Sequence, residues 1–591
     1  MAVSGTLTHP PGDAWPESVR NVLFITADQM RGDCMSCAGH PVVETPHLDA
    51  LAKRGIRFAQ HFTPAAPCAP ARACLHTGMY MANHRVITNG VPLSSEFTNW
   101  AQEILEQGSI EPCMIGYPDV NLDPRPLAKQ DPKLQRWDGG HLPGIKNLSE
   151  GSLMGSPAWL REHGVAEALG AQVMAEIEKP GFVSWNGWQG DAHWLATPKG
   201  VHGLQDAPLH ADGYPAPASY KKEASDTYVL TSQAMDFVRE EVVAKRPWAL
   251  HLSLLKPHPP FLAPEPYNAK FHPARVDLPA PGRRAESVEA EAAVHPFLKA
   301  EHANGTSRPL LQNDTGSVAE VTDAELRELR SAYYGLISEV DDNLGRLMAT
   351  LAELGEDRQT LIIFTSDHGE LLGEHRLRGK IGFHDGAFHV PLLVCDPRPS
   401  AAGACGTTVT AFTQHVDIAP TILDYLGLRV PRQIDGKTLR CFAEQQTGEP
   451  ADWRSCALWE YDFRHRSSGE ALRRDWGLDM DECSILVLRT KTRKLVHFGG
   501  SLPQLLFDLE KDPGELVDVS NDVKYAPDFR QLVSQLLSWR VKHANRSLTH
   551  LRIGTGGSLL RFDDTSGQGV EASGEDPKML AHRPKKPRVA S

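Results

Sequence analysis

Two short apolar runs, each followed by polar side chains, constrain the fold of this chain more than any other sequence feature. The run NVLFIT precedes Asp28 and Gln29, and the run TLIIFT precedes Asp367 and His368. Uninterrupted apolar runs of this length are typical of strands buried on both faces in a parallel sheet. Ligands bind at the carboxyl ends of such strands. Each run therefore predicts a buried strand that ends in two potential metal ligands.

The segment after the first run predicts a helix. Thr45 is a suitable N-cap, Pro46 suits the first helical position, and Gly55 follows Arg54 where the apolar periodicity stops. Strand, loop and helix in this order indicate an α/β fold. Further predicted elements are strands at 248–255, 484–489 and 494–498, and helices at 323–354, 420–426 and 528–542.

Composition excludes several classes of function. The 591 residues carry a formal net charge of -13, which opposes general nucleic-acid binding because backbone phosphates would be repelled. The N-terminal 20 residues lack the basic and apolar segments of a secretory signal, and no apolar run is long enough to span a bilayer. We therefore expect a cytoplasmic protein without nucleic-acid or membrane partners.

Ten cysteines are too few for a disulfide framework in a chain of this length. Cys34 and Cys37 have the spacing of a redox motif or half of a zinc site, but no second pair with metal spacing follows them. The most specific local pattern is Cys68-Ala-Pro-Ala-Arg72, at the start of a predicted helix. On its own this pattern also fits a buried free cysteine in a proline turn.

The context of Cys68 resembles a known family. Cys-x-Pro-x-Arg, with the Asp-bearing first strand before it and Asp-His-Gly-Glu far after it, resembles the type I sulfatases of the alkaline phosphatase superfamily. Over most of its length the chain is similar to bacterial phosphonate monoester hydrolases, which are also phosphodiesterases. The shared stretches are 83–85, 89–92, 116–117, 256–260, 336–342, 365–370, 379–382 and 538–550.

The resemblance implies that Cys68 is oxidised to formylglycine by a dedicated formylglycine-generating enzyme. In the family, one hydroxyl of the hydrated aldehyde attacks sulfur or phosphorus, and the other expels the product. Arg72 would hold the diol and an anionic oxygen, and the helix N-terminus would face the anion. Thiol chemistry of an unmodified Cys68 is the competing interpretation.

The resemblance also implies one divalent metal ion bound by Asp28, Gln29, Asp367 and His368. Calcium sulfatases resemble Asp-Asp in the first pair and Asp-Asn in the second. Gln29 and His368 lower the negative charge and add a nitrogen donor, which favours manganese, with zinc, iron or calcium as alternatives. The competing interpretation is that Asp367 and His368 only cap a following helix.

By the same similarity, Asn89, Tyr117, His258 and Lys380 would line the substrate pocket. His258 and Lys380 would bind the anion and assist the leaving oxygen as catalytic residues. Each has a structural alternative, because His258 lies between prolines and Lys380 or Tyr117 could pack or cap. Where the phosphonate enzymes resemble Tyr-x-Thr, this chain has Asp119. A carboxylate there would repel an anionic ester or recruit a cationic substrate group.

The sequence signals, together with the resemblance, divide the chain into three predicted parts. We expect an α/β alkaline-phosphatase-like catalytic domain at 1–430, with a mostly parallel central sheet flanked by helices. A smaller C-terminal α+β domain would occupy 431–553. The segment 554–591 would form a flexible or oligomer-docking tail. Residues 122–219 predict long loops that shape the pocket, and 538–552 resembles a segment that supports homo-oligomers, so we expect a homodimer or homotetramer.

The predicted activity is hydrolysis of monoanionic phosphonate monoesters and phosphodiesters, with promiscuity toward sulfate monoesters. These small anionic esters share a tetrahedral centre and one negative charge. A dedicated aryl- or alkylsulfatase is the first alternative. A non-catalytic binding relative is a second, and it is opposed by the intact Cys68, Arg72 and predicted metal ligands.

Overall fold

The computed structural model describes residues 20–108, 110–129, 131, 142–149, 157–169, 171, 174, 215, 217–218, 220–303, 316–319, 321–444, 449–544, 551–553, 559–562 and 569–571. Much of the predicted loop-rich segment 122–219 and most of the predicted tail 554–591 lie outside the described residues.

The described strands are numbered in chain order. They are β1 Asn21–Ala27, β2 Ile56–Phe62, β3 Ala65–Ala66, β4 Cys113–Gly116, β5 Lys146–Asn147, β6 Ala249–Leu254, β7 Gly316–Ser317, β8 Thr360–Thr365, β9 Leu377–Arg378, β10 Leu392–Cys395, β11 Thr407–Gln414, β12 Ala457–Asp462, β13 Ser484–Arg489, β14 Arg493–Phe498, β15 Leu505–Asp508, β16 Leu551–Ile553, β17 Leu559–Phe562 and β18 Gly569–Glu571.

The described α-helices are numbered in the same way. They are α1 Pro46–Arg54, α2 Cys68–Thr77, α3 Met81–His84, α4 Trp100–Gln107, α5 Pro157–Glu162, α6 Val165–Leu169, α7 Asp226–Ala244, α8 Val288–Val294, α9 Pro296–Ala303, α10 Asp323–Glu353, α11 Asp385–Phe388, α12 Ile418–Tyr425, α13 Arg440–Glu444, α14 Ser467–Trp476 and α15 Ala526–Lys542.

The large sheet has eight strands in the order β11-β2-β10-β8-β1-β6-β4-β5. All of them run in one direction except β10, which is antiparallel to β2 and β8. The prediction of a mostly parallel α/β sheet is therefore confirmed. The three strands β8, β1 and β6 lie side by side, so their carboxyl ends share one edge of the sheet.

Both faces of the central sheet are buried under helices. Along β1, Leu23 and Ile25 pack in one cluster with apolar residues of α1, α7 and α10. Val22 and Phe24 point the other way and pack with residues of α2, α4 and α12. Successive side chains of a strand alternate between faces, so an uninterrupted apolar run fills both cores at once.

The helix α1 begins and ends where the sequence predicts, but its cap is different. Thr45 makes no side-chain hydrogen bond to the helix, and its hydroxyl bonds to Ser36 instead. The carboxylate of Asp341 accepts hydrogen bonds from the amides of His47 (3.1 Å) and Leu48 (2.7 Å). The prediction that Thr45 caps α1 is therefore wrong, because a buried carboxylate on α10 satisfies the same amides.

A second, smaller sheet has the strand order β15-β14-β13-β12-β3, and α15 packs against it. Its strands β12 to β15 are antiparallel, but β3 pairs in parallel with β12. The residues just before the second sheet, including Leu439 and Trp453, still pack in the core of the central sheet. β3 ends two residues before Cys68, so the second sheet supports the start of α2.

Beyond α15, the backbone of β16, β17 and β18 forms a three-stranded antiparallel sheet. Whether the segment after residue 553 docks on a second subunit stays a prediction. Among the described helices, none has both the length and the apolar character that a bilayer crossing requires.

Candidate active site

The predicted metal ligands meet at the carboxyl ends of β1 and β8. In the sheet register, Thr26 on β1 lies beside Thr365 on β8 and Ser253 on β6. Asp28 and Asp367 follow these positions at the same edge of the sheet. One donor atom from each of Asp28, Cys68, Asp367 and His368 lies within 4.8 Å of the others, and all four side chains are buried.

The charges of this cluster fit a cation. Asp28 Oδ1 is buried and accepts no hydrogen bond from the residues that the structure describes. Burial, together with the neighbouring carboxylate of Asp367, raises the pKa of Asp28 to about 8. Two adjacent buried carboxylates repel each other, and a bound cation would remove both the repulsion and the unsatisfied oxygen.

The orientation of His368 also fits metal binding. Its Nδ1 lies 3.0 Å from the carbonyl oxygen of Gly369, which places the ring proton on Nδ1. Its Nε2 lies 3.7 Å from both Asp28 Oδ1 and Asp367 Oδ2. Burial lowers the pKa of His368 to about 3, so the imidazole is neutral and its Nε2 lone pair faces the carboxylates.

Gln29 reaches the site through an unusual backbone conformation. Its φ of 67° lies in the left-handed region, which is uncommon for a residue other than glycine. Its backbone N–H donates to Asp367 Oδ1 (3.1 Å), and its side-chain oxygen accepts from Lys380 Nζ (2.8 Å). The side-chain NH2 group donates to Glu370. By holding the NH2 group, Glu370 directs the side-chain oxygen of Gln29 toward Lys380 and the site.

Cys68 is the first residue of α2 and contacts two of the predicted site residues. Its Sγ lies 3.1 Å from His368 Nε2 and accepts from Lys380 Nζ (3.2 Å). Burial raises the pKa of the Cys68 thiol well above its usual range, despite the opposing effect of Lys380. An unmodified Cys68 would thus stay protonated and react poorly as a nucleophile.

Arg72 lies one turn further along α2 and connects the two carboxylates. Its guanidinium donates to Asp367 Oδ2 (2.9 Å) and Asp28 Oδ2 (3.0 Å). It also donates to Ser253 Oγ (2.7 Å) and to the carbonyl oxygen of Tyr117 (2.7 Å). A fully buried arginine with these partners fixes the positions of both aspartates.

Lys380 is buried, and the turn that carries it is held by Glu370. The carboxylate of Glu370 accepts a hydrogen bond from the amide of Gly379, immediately before Lys380. Glu370 therefore positions both Gln29 and Lys380. The sequence interpretation recognised Glu370 only as part of a motif and assigned it no role.

Ser253 is a second residue that the sequence interpretation missed. Its hydroxyl accepts from Arg72 and donates to the Tyr117 carbonyl oxygen (2.7 Å). The signal was present, because His251 and Ser253 are polar residues within an otherwise apolar strand. A polar residue at the end of a buried strand needs a hydrogen-bond partner, and here that partner belongs to the site.

Tyr117 lies at the edge of the same site. Gly116 has a φ of 107°, and a Cβ there would come within 1.9 Å of the Ser253 carbonyl oxygen. Only glycine allows this close approach of β4 to β6. The Tyr117 ring consequently lies under the Arg72 guanidinium, 4.8 Å from centroid to Cζ.

The remaining predicted pocket residues lie at different depths. Asn89 is exposed, and its side-chain oxygen accepts a hydrogen bond from the amide of Ala69, next to Cys68. His258 is buried, its Nδ1 lies 2.7 Å from the Pro259 carbonyl oxygen, and Lys380 and His368 contribute to its lowered pKa after burial. The substrate roles predicted for both residues stay predictions.

The charge of Asp119 reaches the site, since it acts on Asp28, Cys68 and Arg72. Its backbone has a φ of 39°, and it is hydrogen-bonded to the Tyr117 side chain. Burial raises the pKa of Asp119 to about 6, while Arg72 and Lys380 act in the opposite direction. Its Oδ2 is buried without a hydrogen bond from any described residue.

Cys34 and Cys37 form no disulfide, and neither belongs to a metal-capable cluster within the described part of the chain. Burial raises the pKa of the Cys34 thiol well above its usual range. The structure thus gives no support to a redox or zinc role for this pair.

Comparison with known proteins identifies relatives over nearly the whole chain. The family model "Sulfatase" matches residues 20–116 and 156–428, and the model "N-sulphoglucosamine sulphohydrolase, C-terminal" matches residues 373–542. The multifunctional alkaline phosphatase superfamily protein PehA of Trinickia caryophylli is 36% identical over 92% of this chain and 99% of its own length. An arylsulfatase of Clostridium perfringens is 27% identical over 85% of this chain and 91% of its own length.

Solved structures agree with these matches. The phosphonate monoester hydrolase of Agrobacterium radiobacter superposes with a TM-score of 0.78 and 39% identity, covering 92% of this chain and all (100%) of that one. The enzyme of the same description from Silicibacter pomeroyi gives 0.76 and 32%, covering 92% and 99%. The family model alone matches more than half of the chain. This chain belongs to the sulfatase family of the alkaline phosphatase superfamily.

Proposed function

We propose that this protein hydrolyses monoanionic phosphonate monoesters and phosphodiesters, and sulfate monoesters less efficiently. The supporting observation is the position of Cys68 Sγ, 3.2 Å from Lys380 Nζ and 3.1 Å from His368 Nε2, beside two buried carboxylates. The similarity to solved structures described as phosphonate monoester hydrolases supports phosphorus esters, rather than sulfate esters, as the main substrates of this proposal.

The proposed chemistry needs two groups that the chain itself is built to hold. Formylglycine formed from Cys68 by a formylglycine-generating enzyme would supply a hydrated aldehyde as the nucleophile. A divalent cation on Asp28, Gln29, Asp367 and His368 would supply Lewis acidity toward the ester oxygens. In the net reaction, one water and one ester give the acid and the free alcohol.

Other side chains of this protein would position the metal ligands and stabilise the charge on the ester. Arg72 holds Asp28 and Asp367 in place through two charge-assisted hydrogen bonds. Lys380 presents its ammonium group at Cys68 and would stabilise negative charge on the oxygens of the ester. His258 would assist the leaving oxygen only in its protonated form, because in the neutral ring the proton lies on Nδ1 against the Pro259 carbonyl oxygen and Nε2 can only accept. The start of α2 adds the positive end of a helix dipole at the same point.

We propose manganese as the metal. Gln29 and His368 give a donor set with two carboxylates, one amide oxygen and one imidazole, which suits a transition metal better than calcium. Metal analysis of the purified protein tests this proposal. Stoichiometric manganese supports it, zinc or iron replaces manganese but keeps the argument from the donor set, and stoichiometric calcium after growth with all of these metals contradicts both.

The test of the main activity compares kcat/KM for an aryl phosphonate monoester, an aryl phosphodiester and an aryl sulfate, with manganese supplied. The protein is produced together with a formylglycine-generating enzyme, and mass spectrometry of the peptide around Cys68 verifies the modification. A preference for the phosphorus esters supports the proposal. Inactivity of the verified, metal-loaded protein toward all three contradicts it.

A dedicated sulfatase is the second candidate, and the similarity to arylsulfatases such as that of Clostridium perfringens favours it. The same comparison separates the candidates. A kcat/KM for the aryl sulfate above both phosphorus esters would assign this chain to the sulfatases in the narrow sense.

We further propose a homodimer or homotetramer that uses the C-terminal part of the chain. Leu537 and Val541 on α15 are one helical turn apart, and their exposed fractions are 63% and 79%. An exposed apolar stripe of this kind is typical of an interface. Sizing the intact protein against a version truncated after Leu551 tests whether the tail contributes, and a monomeric intact protein would contradict the proposal.

A further inference from the structure

Asp119 presents a buried, unsatisfied carboxylate oxygen to the site. Oδ2 accepts no hydrogen bond from the described residues, although it is shielded from water. A buried acceptor without a partner destabilises the fold, and does so more strongly if it is charged. Such a group is expected only where something else binds to it.

The position of Asp119 is fixed by the machinery of the site. Its carboxyl group is hydrogen-bonded to the Tyr117 side chain, and the Tyr117 ring lies against the Arg72 guanidinium. Its charge also acts on Cys68, Asp28 and Arg72. The φ of 39° places the residue in a strained backbone region, which is typical of functional positions.

Among the described residues, Arg72 and Lys380 act on the Asp119 carboxylate through their charge, but neither donates a hydrogen bond to Oδ2. Arg72 directs its hydrogen bonds to Asp28, Asp367 and the Ser253–Tyr117 pair. Lys380 directs its ammonium group to Gln29 and Cys68. The metal proposed for the site is assigned to Asp28, Gln29, Asp367 and His368, which leaves the substrate as the source of a hydrogen-bond donor for Asp119 Oδ2.

We propose that Asp119 binds a cationic group on the substrate, so that the preferred ester is zwitterionic, with an ammonium group on a short chain beside the anionic centre. This proposal rests on the proposed esterase function and specifies its substrate class. Ammonium binding by Asp119 satisfies Oδ2 and places the anionic centre near Cys68 and Lys380. A neutral substituent of the same shape would leave the carboxylate buried and unpaired.

The test uses two phosphodiesters with the same para-nitrophenyl leaving group. One carries ethanolamine as its second alcohol, and the other carries propanol, the uncharged carbon isostere of ethanolamine. We expect kcat/KM of the wild-type protein to be at least about tenfold higher for the ethanolamine diester, because a charge-assisted hydrogen bond contributes on this scale. In Asp119→Asn the ratio of the two kcat/KM values should fall to about one, whatever the change in the absolute values.

Controls separate recognition from structure. Asp119→Thr repeats the test if the Asn variant does not fold. Asp123→Asn changes a carboxylate of the same loop that bonds to Ser95 and Arg125, and it should keep the full preference. Equal loss of both substrates in Asp119→Asn would mean that Asp119 only positions the site, which overturns the proposal.

The result also distinguishes the two levels of the hypothesis. Activity on the neutral diester with no preference for the ethanolamine diester overturns the Asp119 proposal alone. Inactivity on both diesters and on an aryl phosphonate and an aryl sulfate overturns the proposed function together with it.

Discussion

Two buried charged clusters of this protein differ in how completely their groups are paired. The site cluster contains Asp28 and Asp119, each with one buried oxygen that no described residue satisfies. The second cluster, here called the joint, consists of Asp385, Arg489, Lys494 and Glu515 and connects α11 to the second sheet. In the joint, Asp385 accepts from Lys494 Nζ (3.0 Å) and from Arg489 Nε (2.8 Å).

The pKa values of Asp28 and Asp385 follow this difference, whereas burial raises the pKa of Glu515 in the joint as well. Burial acts on both aspartates, and in the site it raises the pKa of Asp28 to about 8 with the help of Asp367. In the joint, burial is outweighed by Arg489 and Lys494, which hold the pKa of Asp385 well below its usual range. The joint is complete without a ligand, whereas the site is not. Incomplete pairing thus separates a binding cluster from a structural one.

The joint also supports the site. α11 accepts hydrogen bonds through the carbonyl oxygens of Gly386 and Ala387 from the amides of Glu370 and Gly369. The loop with the metal ligands therefore rests on the helix that carries Asp385. This arrangement gives four predictions in which the two clusters should respond differently.

The largest expected effect is the loss of activity in Cys68→Ala. Removing the proposed nucleophile should lower kcat/KM by at least about a thousandfold without unfolding the protein. Cys74→Ala is the matched control, since Cys74 is also buried in α2 but lies outside the site. Activity of Cys68→Ala close to that of Cys74→Ala would refute the assignment of Cys68.

Asp385→Asn should cause the largest loss of stability. It leaves two buried cations without their full charge partner, which costs about 3–5 kcal/mol. We expect a thermal midpoint several degrees lower, measured by circular dichroism. Metal content per chain should not change, because the Asp385 carboxylate bonds to Lys494 and Arg489 rather than to a metal ligand. Loss of metal with an unchanged midpoint would reverse the distinction between the clusters.

Asp28→Asn should show the opposite pattern. Metal affinity and kcat/KM should each fall by about a hundredfold or more. Removing a direct metal ligand should weaken binding more than removing a residue that only hydrogen-bonds to a ligand. The chelator-treated variant should be as stable as chelator-treated wild type. An amide can still accept from Arg72, and the repulsion with Asp367 disappears. A large drop in the midpoint of the chelator-treated variant would show that Asp28 is structural like Asp385.

Glu370→Gln should have the smallest effect. The change weakens the hydrogen bonds from Gln29 and the Gly379 amide, so Gln29 and Lys380 lose their fixed orientation. We expect metal to bind about tenfold more weakly, measured by competition with a chelating dye. Glu374→Gln provides a control four residues further along the chain, in the ion pair with Arg31. Equal effects of the two variants would mean that Glu370 acts only through folding.

Much of the scaffold could be predicted from local patterns. The bounds of β8 and β13 agree with the predicted ones, and β1 and α1 differ by at most one residue. The helices predicted at 420–426 and 528–542 begin two residues earlier, at Ile418 and Ala526. Apolar periodicity, proline and glycine act over a few residues, so a single sequence contains these signals in full.

The cap of α1 and the pairing of β3 could not be predicted in this way. Asp341 caps a helix 293 positions earlier in the chain. β3, next to Cys68, pairs with β12, almost 400 positions later. The free N–H groups at a helix N-terminus can donate to any carboxylate placed beside them, whichever part of the chain it comes from. A two-residue strand is too short to show a periodic pattern in the sequence. Only packing decides which distant group arrives there.

The sequence by itself determined two buried strands, the polar pairs after them and Cys68-x-Pro-x-Arg72 at the start of a helix. These features are local, and the side-chain types already limit the chemistry. The tertiary structure decided that Glu370 orients Gln29, that Ser253 holds Arg72, and that Asp119 keeps an unsatisfied oxygen in the site. Pairing is a property of neighbours in space, and residues more than 300 positions apart become neighbours only through the folded sheet.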